Sequence, residues 1–92
     1  MAMTEYFTSS GYSAPVTGSE ILFFVDFDEG TGVGTAQLEV LLDGSWIPAD
    51  GEYSESMLTA RATDIIHREG ERSFRWRVTV NSGSIKTILS KN

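Results

Sequence analysis

The sequence has no cysteine among its 92 residues. Disulfides therefore cannot supplement the core, and a thiolate metal site or a thiol nucleophile is excluded. Small secreted domains usually lean on disulfides, so secretion by a standard route is not expected. Histidine occurs once, at His67, and one imidazole does not make a usual zinc site. Long apolar runs are also missing: the longest, Ile21 to Val25, is far too short to span a bilayer as a helix. Residues 1–19 lack the basic start and apolar stretch of a signal peptide. A soluble protein with no membrane partner is expected.

Positive charge is scarce where it would matter for nucleic acid. The formal net charge is −6, and phosphate contacts need Lys and Arg. Residues 1–50 hold eight carboxylates and no Lys or Arg, a charge of −8. Residues 51–92 hold seven basic and five acidic groups, a charge of +2. Internal pairing between the halves explains this plainly. The sharper reading is a two-faced surface that packs on an oppositely charged neighbour, a copy of the chain included.

What is present is alternation. In Ser73–Val80, Phe74, Trp76, Val78 and Val80 point one way, and Arg75, Arg77 and Thr79 the other. That is a half-buried strand. Thr35–Leu42 reads the same way, with Leu38, Val40 and Leu42 inward. Glu20–Phe27 is apolar on both sides and suits a strand covered on both faces. Ser84–Leu89 reads as a final strand carrying Ile85, Thr87 and Leu89 on one side. Met57–His67 has tolerable helix propensity, but Leu58, Ala60 and Ala62 favour a bent strand.

Turn signals separate these runs: Asp43-Gly44-Ser45, Ala49-Asp50-Gly51, Glu69-Gly70-Glu71 and Asn81-Ser82-Gly83. Their spacing predicts six to eight short antiparallel strands in two packed sheets, an all-β sandwich of jelly-roll or Ig-like type. The inner faces should carry Ile21, Phe23, Val25, Leu38, Val40, Leu42, Phe74, Trp76, Val78, Ile85 and Leu89. Residues 1–19 show little periodicity and read as an N-terminal extended arm, leaving residues 20–92 as the β-sandwich domain. A first strand near Glu5–Thr8 is the alternative.

No constellation supplies chemistry. Gly30–Gly34 has three glycines, but no Lys-Ser/Thr follows and the next element is a strand, so it reads as a loop. Asp26, Asp28 and Glu29 have carboxylates at calcium-loop spacing without the remaining ligands; Asp43, Asp50 and Glu52 would have to converge on them. Solvated loop charge is the preferred reading, with no metal. His67 lies near Asp64, yet no serine sits in a nucleophile-elbow pattern. No catalytic residue, cofactor site or enzyme activity is expected. Trp46 follows the Asp43 turn; exposed, it would stack on a sugar ring, but such a residue more often packs over the core edge.

Five side chains remain as candidates for a partner surface. Tyr6, Phe7 and Tyr12 are aromatic anchors in the arm, and Arg75 and Arg77 form a basic stripe outside the Phe74–Val80 strand. The ordinary reading of the arginines is cross-strand pairing with carboxylates such as Glu39.

Gly34–Gly51, an alternating strand that meets an Asp-Gly turn, a Trp and a short loop, resembles a recurring segment of small tailed-bacteriophage virion proteins. Phe74–Val80, the turn at Asn81-Ser82-Gly83 and the closing strand Ser84–Ser90 resemble the end of the same proteins. The resemblance implies a capsid decoration or cement protein, a head fibre, or a neck or tail adaptor. It also implies a β-sandwich bound to the major capsid protein or another virion protein, often as a trimer, and located in the virion. The expected mechanism is multivalent attachment that strengthens the lattice. The alternative is a carbohydrate- or ligand-binding module using Trp46, Tyr53 and the acidic loops.

Overall fold

Alternating apolar residues demand a shared interior, and the eight strands among the described residues provide it. The computed structural model describes residues 2–27, 32–49, 57–58 and 62–91. The strands are β1 (Ala2–Phe7), β2 (Gly11–Tyr12), β3 (Val16–Asp26), β4 (Val33–Leu42), β5 (Ser45–Pro48), β6 (Met57–Leu58), β7 (Ala62–Ser82) and β8 (Ile85–Lys91). No helix occurs among the described residues. All pairings are antiparallel and build one sheet in the order β1-β8-β3-β7-β4-β5. Short β2 joins β7, and β6 joins β4 beyond the end of β5.

The expectation of an all-β antiparallel domain is met, but the two packed sheets become one sheet curled into a half-barrel. The reason lies in β7. Its first half runs along β3, from Ala62 opposite Val25 to Phe74 opposite Val16. Its second half continues past β3 and pairs with β4, from Phe74 opposite Val40 to Ser82 opposite Val33. The register jumps from Gly18 opposite Arg72 to Glu20 opposite His67. Ser19 alone therefore faces the four residues Arg68–Glu71. Surplus residues on one strand bend it and raise its twist. Gly70, at φ 86°, takes the backbone conformation this bend requires without a Cβ penalty. The Glu69-Gly70-Glu71 signal, expected as a hairpin turn, is thus a bulge inside one 21-residue strand.

Curling brings distant strands face to face. The Trp76 ring on the second half of β7 meets the Phe23 ring of β3 edge-on, with centroids 5.7 Å apart. The Trp76 indole N–H donates to the Ile88 carbonyl of β8 at 3.3 Å. Ten of the eleven expected inward residues are buried, and Leu42 is partly buried against the same cluster. Val16, Phe27, Ala36, Ala49 and Ile66 complete the core. Burial of each large apolar side chain contributes about 1.5–3 kcal/mol.

The N-terminal segment, expected as an extended arm, pairs into the sheet. β1 pairs along β8, with Phe7 opposite Ile85 and Met3 opposite Leu89. β2 places Gly11 opposite Val78 and Tyr12 opposite Arg77. The boundary at residue 19 falls inside β3. Met3 and Phe7 pack on the core, so apolar burial, invisible in so short a run, holds the segment. Residues Met57–Leu58 and Ala62–His67 are strand, as read; 59–61 lie outside the described residues.

Candidate partner-binding face

β7 has to satisfy both its edges beyond β3. On one side β4 provides a ladder that is unbroken from Phe74 to Val80. On the other, the segment Ser10–Ser13 does the work with side chains as well as backbone. The Val80 N–H donates to Ser10 Oγ at 3.0 Å. The Ser13 N–H donates to the Trp76 carbonyl at 2.9 Å, and the Trp76 N–H donates to Ser13 Oγ at 2.8 Å. Ala14 N–H donates to Glu5 Oε2 at 2.7 Å, which ties β1 to the same segment. This network fixes Tyr12 beside the outward residues of β7.

The outward face there is ordered. Arg75 lies opposite Glu39 on β4, and its Nε donates to Glu39 Oε1 at 2.8 Å. The two side chains are 21% and 7% exposed, so Glu39 is a nearly buried carboxylate outside the core, neutralised by one guanidinium. Rings from either side of β7 reach that guanidinium. Its carbon lies 4.0 Å from the Tyr12 ring centroid and 4.4 Å from that of Trp46. Trp46 arrives from β5, paired opposite Leu41. Stacking of this kind suits the planar, weakly hydrated guanidinium.

Trp46 is therefore not part of the core edge as expected. It is half-buried on the outer face, because its hairpin, with φ positive at both Asp43 (50°) and Gly44 (79°), sets Trp46 on the same face as Glu39. Two positive φ values in a two-residue loop make the twisted turn that hairpins favour.

Arg77 is exposed and has no ion pair among the described residues. It lines a shallow surface groove with Ser10, Gly11, Tyr12, Val78 and Thr79. Three of the five expected partner residues, Tyr12, Arg75 and Arg77, thus share one face. Tyr6 and Phe7 are apart from it on β1. Tyr6 is exposed over Lys86, whose Nζ lies 5.7 Å from the ring centroid. Phe7 is partly buried and packs against the core, held there by the pairing of β1 with β8.

The remaining sequence candidates stay dispersed. Asp26 is buried at the end of β3, and Asp43 is exposed on its hairpin. Asp28, Glu29, Asp50, Glu52 and Tyr53 lie outside the described residues, as do Gly30 and Thr31 of the glycine loop. His67 pairs through its backbone with Glu20. Among the described residues no group of three potential ligands could hold a metal ion. No protein-family model, curated protein or solved structure matches the chain.

Proposed function

We propose that the protein is a non-enzymatic interaction module that attaches to a larger protein assembly through the face formed by Tyr12, Trp46, Arg75 and Arg77. The observation that carries this reading is the stack of Tyr12, Arg75 and Trp46 over Glu39. Tyr, Trp and Arg are the side chains in which interface energy concentrates. Here they are held in place before any partner arrives, so little side-chain freedom is lost on binding. Arg75 is already neutralised by Glu39, which leaves Arg77 to meet an acidic group on the partner.

The setting we propose is the one that the sequence resemblance implies. The protein would be a capsid decoration or cement protein that binds the major capsid protein and strengthens the lattice by many modest contacts. The test is to compare particles carrying the native chain with particles carrying a Tyr12→Ala, Arg77→Glu double variant. The native chain should be present at a copy number like that of the capsid protein, and the folded variant should be lost from the particles. Retention of the variant at full occupancy would overturn the docking face, and absence of the native chain from particles would overturn the virion setting.

A second reading rests on the same two rings. Tyr12 and Trp46, on either side of Arg75, are also the materials of a sugar-binding platform. Free glycans that quench the fluorescence of Trp46 would favour that reading over lattice attachment.

A further inference from the structure

The two edges of the curled sheet are treated differently. At one end β5 is four residues long and finishes at Pro48, which has no N–H to offer. Short strands and proline are the usual means of blunting an edge. At the other end β1 is six residues long and contains no Lys, Arg or Pro. Its register with β8 is unbroken from Ala2 to Phe7, so no bulge twists it away. Its one charge, Glu5, is spent on the Ala14 N–H. No described strand pairs with its outer side. Tyr6, at 64% the most exposed large apolar side chain among the described residues, stands on it.

We propose that β1 is a self-association edge, at which two copies of this chain join antiparallel about a two-fold axis and continue one sheet into the other. An unpaired strand edge is satisfied by another strand through backbone hydrogen bonds. A second copy brings an identical edge, and antiparallel pairing of a strand with itself makes a closed, isologous contact.

The side chains choose the register. Residues on the same face must lie opposite one another, so even positions pair with even and odd with odd. Centring the axis on Glu5 would set the two Glu5 carboxylates against each other, which is unfavourable. Centring it on Thr4 sets Thr4 against Thr4, Glu5 against Met3, and Tyr6 against the Ala2 position. That register has no like-charge pair. The contact is small, so association should be weak and concentration-dependent.

The absence of cysteine makes the test direct. Sedimentation equilibrium of the full chain over a wide concentration range should show a reversible monomer–dimer equilibrium. Thr4→Lys leaves an exposed position exposed in the monomer but places two ammonium groups at the axis. It should weaken dimerisation about tenfold while leaving the melting temperature of the dilute monomer unchanged. Thr4→Cys should form a covalent dimer under mild oxidation, whereas Asp43→Cys, on the distant hairpin, should not. A native chain that stays monomeric at the highest concentration overturns the proposal. So does a dimer that is indifferent to Thr4→Lys, or one that Asp43→Cys cross-links as readily as Thr4→Cys.

Discussion

At the scale of single residues, the polar side chains that matter most are those that finish the backbone bonding of β7. Ser13 is buried and both donates to and accepts from Trp76. Ser13→Ala would leave the Trp76 N–H without that acceptor in a dry environment. The expected cost is about 1–3 kcal/mol, read as a lower urea midpoint with an unchanged denaturant slope. Arg75 and Glu39 show an asymmetry that a surface ion pair would lack. Removing Arg75 strands a nearly buried carboxylate, so Arg75→Ala should cost roughly 2–4 kcal/mol, below the full penalty for a wholly buried pair because the guanidinium is 21% exposed. Arg75→Lys keeps the charge but gives up the flat stack between Tyr12 and Trp46, and should recover only part of that loss. Equal stability of Arg75→Ala and the native protein in thermal melts would show the pair to be an ordinary solvated contact.

At the scale of elements, two glycines make opposite demands. Gly70 sits at positive φ in the β7 bulge, and a Cβ there would meet nothing within 4 Å. Gly70→Ala should cost about 1–2 kcal/mol, the penalty of the left-handed backbone alone. A Cβ on Gly34 would clash with the Thr79 carbonyl oxygen, inside the β4–β7 ladder at its register shift. Gly34→Ala must separate the strands and should abolish the cooperative melt. If the two substitutions were equally mild, the close approach of β4 and β7 would be wrong. The contrast also explains what the sequence makes legible. Strict alternation marked Phe74–Val80 and Thr35–Leu42 as strands, and ten of the fifteen core residues were named from the sequence, because one buried face imposes a period of two. Glu69-Gly70-Glu71 misled, since a glycine between polar residues signals a chain reversal and a bulge equally well. Which it is depends on whether the flanking halves pair with each other or with third strands, a long-range fact. The candidate face was half visible for the same reason. Arg75, Arg77 and Glu39 follow from alternation, whereas the arrival of Tyr12 and Trp46 on either side of Arg75 depends on which strands become neighbours.

At the scale of the whole molecule, the first fifteen residues close the half-barrel. β3, β4, β7 and β8 carry most of the apolar core, and among the described residues the N-terminal segment covers two strips that they leave. β1 lays Met3 and Phe7 along β8, and Ser10, Gly11 and Ser13 saturate the edge of β7 from Trp76 to Val80. Glu5 binds the two parts of the segment together through Ala14. Deleting residues 1–15 would therefore remove two apolar side chains from the core surface and strand several backbone groups beside Trp76, Val78 and Val80. The lost contacts amount to several kcal/mol, comparable to the 5–15 kcal/mol by which a small domain is stable at all. The truncated chain should lose its near-ultraviolet circular dichroism and its cooperative melt. Adding a synthetic peptide of residues 1–15 should restore both, because every contact it makes is present in the native sheet. Were the truncated chain to melt cooperatively near the native temperature, the segment would be an arm after all. Its pairing with β8 and β7 would then contribute attachment and not folding.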